Sequence, residues 1–161
     1  MTTFIGGMVF FYPFSTLLFA ESSFLTLLDL RGPGSILSGS QAWVELTCTF
    51  LHSYSELEQL DLKWYYSSDE EPFLQWLPSS GLDPQIRGQR FSSSMTVRHH
   101  VTNTTTEQRV EQVLRLEQPT TLLSGDYHCR VATFTHEERR SHTMTVFGKN
   151  IVKVIVYQRL L

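Results

Sequence analysis

The chain alternates between apolar and polar residues in short stretches, not in helical turns. Trp43 to Phe50 places Val44, Leu46, Cys48 and Phe50 on one side. Leu60 to Tyr66 places Leu62, Trp64 and Tyr66 on one side, with Lys63 and Tyr65 on the other. A period of two marks a strand with one buried face. The same pattern groups Met95, Val97 and Val101, then Val110, Leu114 and Leu116. It also groups Tyr127, Cys129, Val131 and Thr133, and near the end Met144 and Val146. Phe73 to Leu77 is a short apolar run behind Pro72. These make about seven strands with no pattern that demands a crossover helix, which predicts an all-β chain folded as a two-sheet antiparallel β-sandwich.

The ends read differently from the middle. Phe4 to Ala20 carries no charge, and the first charge in the chain is Glu21. That length suits the apolar region of a signal peptide. It falls short of the roughly 20 apolar residues of a comfortable membrane span. No Lys or Arg precedes the run, Pro13 interrupts it, and cleavage after Ala20 would put Leu18 where a small residue is preferred. The expected division is a signal peptide or signal-anchor over 1–20, a leader or linker over 21–32, the sandwich over 33–147 and a tail over 148–161. A second apolar run, Phe24 to Leu28, falls in the linker. In the tail, Ile151 to Tyr157 reads as an extra strand, an aggregation-prone segment or translated intron. The last sandwich strand is expected to end at Phe147, after a short hairpin tipped by Glu137, Glu138, Arg139 and Arg140.

Composition narrows the chemistry. Thirteen Lys and Arg stand against 16 Asp and Glu, for a net charge of −3, so there is no clustered positive excess of the kind nucleic acid requires. Two cysteines cannot build a disulfide-rich miniprotein or a four-cysteine zinc site. They leave one disulfide or two buried thiols. His136-Glu137 begins a near miss to H-E-x-x-H, but the next histidine is His142, six residues on, in a hairpin and not a helix. The other histidines, His52, His99, His100 and His128, read as strand residues and not as ligands. Nothing orders Ser, His and Asp as a triad. Neither an enzyme, nor a cofactor, nor a metal site is expected.

The most specific set is Cys48, Trp64, 16 residues further on, and Cys129, with Tyr127 two before it in Ser124-Gly125-Asp126-Tyr127-His128-Cys129. Both cysteines take inward positions by alternation. Together these residues resemble a variable-type domain of the immunoglobulin superfamily, over about 115 of the 161 residues. The 81-residue spacing of the cysteines leaves room for the extra strands of that type. The resemblance implies a disulfide between Cys48 and Cys129 across the sheets, with Trp64 packed on it. It implies a buried Tyr127 whose hydroxyl returns to the backbone, and a core including Leu46, Leu62 and Leu116. It further implies an oxidising, extracellular setting, secreted or at the cell surface. Arg90-Phe91 resembles the arginine that opens strand D, but the acid that usually pairs with it is replaced by Leu123, so that ion pair is not expected. Two stretches, Leu62-Lys63-Trp64-Tyr65-Tyr66 with Phe73-Leu74-Gln75-Trp76-Leu77-Pro78, and Leu123 to Val131, are also similar to the first domains of arthropod beaten-path and sidestep proteins. Those are adhesion and axon-guidance proteins of the cell surface.

What the resemblance implies for function is recognition of a protein partner, another cell-surface immunoglobulin-type protein or a second copy, through the face of strands G, F, C and C′. Alternation puts Lys63 and Tyr65 outward on strand C, and His128, Arg130, Ala132 and Phe134 outward on strand F. Strand C′ adds Gln75 and Trp76, and a one-residue slip would bury Trp76 instead. Tyr, Trp and Arg are the residue types that dominate interface energy. The alternative is a secreted immune-type or ligand-sequestering protein, or a fragment of a larger receptor. Asn103-Thr104-Thr105 is an N-x-T glycosylation sequon in the polar run Thr102 to Gln108.

Overall fold

Alternation decides which side of each strand is buried. The computed structural model describes residues 24–148; the expected leader over 1–20 and the tail segment Ile151 to Tyr157 lie outside the described residues. Ten strands are formed: β1 (Leu25–Arg31), β2 (Ser35–Leu37), β3 (Trp43–Ser53), β4 (Asp61–Tyr66), β5 (Leu74–Trp76), β6 (Gln85–Ile86), β7 (Met95–Asn103), β8 (Glu107–Glu117), β9 (Gly125–Ala132) and β10 (Glu137–Phe147). One sheet has the order β1-β3-β8-β7 and the other β2-β10-β9-β4-β5-β6. In the lettering of variable domains these are ABED and A′GFCC′C″.

The core lies between the two sheets. Val44, Leu46 and Phe50 of β3 and Val110, Leu114 and Leu116 of β8 face Leu62, Trp64 and Tyr66 of β4 and Tyr127 and Val131 of β9, all buried. At its centre Cys48 of β3 is bonded to Cys129 of β9. Trp64 is the strand partner of Cys129 and, like it, points into the core. Its Nε1–H donates across the sandwich to Gln112 Oε1 of β8 at 2.7 Å. Tyr127 donates its hydroxyl to the Leu123 carbonyl at 2.8 Å, and burial pushes that hydroxyl's pKa well above the ordinary tyrosine value.

The sandwich starts earlier than 33. Leu25–Arg31, read from sequence as linker, is β1 and pairs antiparallel with β3. A register shift between Leu27 and Asp29 breaks its alternation, which is why no period showed. At that bulge β1 is tied to the other sheet: Leu27 N–H donates to Glu138 Oε2 at 2.8 Å, and Arg140 Nε donates to the Leu27 carbonyl at 2.9 Å. The chain then crosses sheets, and β2 pairs parallel with β10. Gly32 sits at the crossing. A Cβ there would lie 2.2 Å from Leu46 Cδ2 and 3.2 Å from the Glu45 carbonyl oxygen. Leu46 is fully buried, so its side chain would have to shift within the packed core. Gly32→Ala is therefore expected to destabilise by about 1–3 kcal/mol in urea unfolding, the usual cost of overpacking.

β2 and β6 are too short to show a period. Val101 ends 39% exposed, because it lies toward the end of the edge strand β7. Arg90 lies in α1 (Gln89–Ser92), a helical turn before β7, with its guanidinium 4.6 Å from the centroid of the Tyr66 ring. Leu123, where a paired acid would stand, is buried.

Candidate partner-binding face

Four strands align side chains across the outer side of the larger sheet. Gln75 of β5 is the strand partner of Lys63 of β4, Lys63 of Arg130 of β9, and Arg130 of Arg139 of β10. The next rung is Tyr65, His128 and Ser141; on the other side lies Asp61, Ala132 and Glu137. Adjacent strands are about 4.8 Å apart, so three cations and an amide fall in one row about 15 Å long.

Acids from the neighbouring rung offset that row. Lys63 Nζ lies 2.7 Å from Asp61 Oδ2. Arg130 grips Glu137 with two bonds, Nε to Oε1 at 2.7 Å and Nη2 to Oε2 at 2.5 Å. That hydrogen-bonded pairing holds the Glu137 carboxyl below the usual carboxylate range and raises the Arg130 pKa. Gln75 donates to Asp61 Oδ1 at 2.9 Å and accepts from Arg87 at 3.3 Å. Arg139 holds its guanidinium 5.3 Å from the centroid of the Tyr65 ring. His128 sits between Ser141 Oγ at 2.6 Å and the Ser67 carbonyl at 3.1 Å. Surface pairs of this kind contribute at most about 1 kcal/mol each to stability. Their larger effect is to hold long side chains in place, which lowers the entropy lost when they are covered.

Of the residues singled out in the sequence, Lys63, Tyr65, Gln75, His128 and Arg130 lie together on this face, each half-buried. Trp76 does not. It is 6% exposed and points inward beside Leu62, with its ring stacked on His99 of β7 at 4.5 Å. The pairing of Lys63 with Gln75 sends Leu74 and Trp76 to the core together. Ala132 keeps its outward register but is covered, since Asp61 and Glu137 flank it with longer side chains. Phe134 is not on strand F. It stands 87% exposed in the turn after β9, which Thr133 N–H closes onto the His136 carbonyl at 2.8 Å. Glu137, Glu138, Arg139 and Arg140 are not the hairpin tip but the first residues of β10. Arg139 and Ser141, which alternation along β10 places on the face, are therefore additional to the residues expected there. Asn103 is the last residue of β7 and lies on the other sheet.

Behind the turn, the loop from β3 to β4 is anchored by a buried carboxylate. Glu56 Oε1 accepts from Thr133 Oγ1 at 3.4 Å and lies 3.4 Å from His136 Nδ1, while Oε2 accepts from Ser53 Oγ at 3.4 Å. The turn that carries Phe134 is thereby pinned to a second loop. Among the described residues no group of three or more His, Cys, Asp or Glu is placed to hold a metal, and no helix is long and apolar enough to cross a membrane.

The architecture is that of an immunoglobulin V-like domain. No protein-family model matches the chain, and no curated protein matches it in sequence. Among solved structures it is similar to the human B7-H4 IgV-like domain, with a TM-score of 0.52 and 13% sequence identity over 78% of this chain and 97% of that one. At that identity the likeness concerns the fold. Since 566 solved chains match it, a fold so widely shared leaves function to the residues it displays.

Proposed function

We propose that the chain is an extracellular recognition module of cell adhesion or cell-surface signalling, which binds a protein partner through the β10–β9–β4–β5 face. The observation that carries this reading is the in-register row Gln75, Lys63, Arg130 and Arg139, with Tyr65 and His128 on the next rung. Arg and Tyr are the common energetic anchors of interfaces. The face presents both charge signs in adjacent rungs, which suits a second immunoglobulin-type domain or another copy of this chain. The cross-sheet disulfide supports an oxidising compartment. We read adhesion rather than a free ligand-sequestering role from the resemblance proposed for Leu62 to Tyr66, Phe73 to Pro78 and Leu123 to Val131.

The test has two stages. A binding screen against secreted cell-surface ectodomains, with sedimentation of the chain alone, identifies a heterophilic or homophilic partner. Tyr65→Ala and Arg130→Ala are then expected to weaken that complex at least tenfold each, about 1.4 kcal/mol or more. Their urea midpoints are expected to stay close to that of the parent, because both side chains are half exposed. Unchanged affinity in both variants would show that the partner sits elsewhere.

A further inference from the structure

We infer that Asn103 carries an N-linked glycan, and that this glycan covers the open end of edge strand β7 while leaving the β10–β9–β4–β5 face free. The inference rests on the extracellular reading above. Asn103-Thr104-Thr105 is the one N-x-T or N-x-S sequence in the chain. Asn103 ends β7, and Thr104 to Thr106 form the turn into β8. All four of these residues are exposed. Gln108 Nε2 donates to Asn103 Oδ1 at 3.1 Å, so the carbonyl side of the amide is held. The amide nitrogen, the atom a glycan is joined to, has no partner among the described residues. The Thr105 hydroxyl is likewise without a bonded partner there. Thr104 shapes the turn: its Oγ1 accepts from Glu107 N–H at 3.1 Å, and its carbonyl accepts from Tyr54 at 2.7 Å. The acceptor asparagine therefore sits on a defined platform.

The surroundings say what the sugar would do. Among the described residues nothing pairs with the outer edge of β7, and free edges invite pairing with another chain. On its inward side Met95 is buried, Val97 is half-buried, and the exposed His99 stacks on Trp76. Beyond His99 that cover stops. Val101 is 39% exposed although its partner Val110 is buried. Asn103 lies two residues past Val101 on the same side of the strand, about 7 Å away. A glycan there shields the uncovered apolar position and the free edge together. It stands on the four-stranded sheet, not on the sheet that carries Lys63, Tyr65 and Arg130.

The reaction joins Asn103 Nδ2 to C1 of an oligosaccharide carried on a lipid diphosphate. The C1–O bond to the diphosphate breaks, the lipid diphosphate leaves with the electron pair, and one amide proton passes to a base. No oxidant or reductant is needed. The experiment expresses the full chain behind an established secretion signal in a eukaryotic host, so that entry does not depend on residues 1–20. Secreted, disulfide-bonded protein is treated with peptide N-glycosidase and its peptides are weighed. A single glycan is expected at Asn103, lost on treatment with conversion of that residue to Asp. Thr105→Ala is expected to lack the glycan while keeping the fold and the disulfide, and Thr105→Ser to keep the glycan. Deglycosylation is expected to leave affinity for the partner unchanged and to increase self-association on concentration. Folded protein with unmodified Asn103, or an equal glycan mass in Thr105→Ala, would overturn the assignment. A partner lost on deglycosylation would overturn its placement away from the binding face. Neither outcome bears on the Tyr65 and Arg130 variants, so failure of the two readings can be told apart.

Discussion

Replacing Cys48 and Cys129 together by alanine is expected to lower stability by about 4.5 kcal/mol. The cysteines are 81 residues apart, so the bond closes a loop that spans most of the sandwich. In the chain-entropy account it works mainly on the unfolded state, where it removes conformations that the free chain would occupy. Domains of this size are stable by only about 5–15 kcal/mol, so the loss removes a large share of the whole. The thermal midpoint is expected to fall by roughly 15 °C. Both cysteines are fully buried in the core, so reductant is expected to reach them only through unfolding. The measurement is urea unfolding of the parent with and without reductant, beside the double variant. The single variants are uninformative, since each leaves a buried thiol. A loss below about 1 kcal/mol would show that packing alone holds the sheets and that the bond is dispensable.

The sandwich could be read from sequence where strands were long and single-faced. β3 buries every second residue from Val44 to His52, β8 from Val110 to Leu116 and β9 from Tyr127 to Val131, so Cys48, Leu46, Leu116 and Cys129 declare themselves by alternation. The pattern fails where tertiary context decides. β5 has three residues, too few to carry a period; its pairing with β4, not its own sequence, sends Trp76 inward. β1 hides behind a bulge whose backbone groups are satisfied by Glu138 and Arg140 from the opposite sheet. The same contact explains why the start of β10 carries no strand pattern. Its early residues are polar on both sides, because one side serves the backbone of β1 and the other forms the outer row with Arg130. A strand polar on both faces looks like a loop in sequence. The face was therefore half visible: β4 and β9 gave Lys63, Tyr65, His128 and Arg130, while Arg139 and Ser141 waited on the register of β10. Arg90 shows the reverse case. The loss of its paired acid was visible at Leu123, but its position over the Tyr66 ring was not.

Trp64→Ala is expected to cost about 3–5 kcal/mol, the range for removing a large buried aromatic. Part of that cost is cavity and part is a polar contact, and the two can be separated. Trp64 is fully buried, and its Nε1–H donates to Gln112 Oε1 at 2.7 Å, well away from water. Gln112 is fully buried as well, and its own Nε2 has no hydrogen-bond partner among the described residues. A core glutamine with an unsatisfied amide is costly in isolation, so its presence makes sense only through the indole it accepts from. Gln112→Leu alone removes one unsatisfied group but strands the indole N–H, at about 1–3 kcal/mol. Trp64→Phe alone removes the donor and leaves the whole carboxamide unpaired. Made together, the two changes replace both polar partners by apolar ones, and the expected cost is less than the sum by about 1 kcal/mol or more. The double-mutant cycle, read by urea unfolding in the disulfide-bonded protein, measures this directly. Strict additivity would mean that the cross-sheet bond adds nothing beyond packing, and that Trp64 holds the disulfide by shape alone.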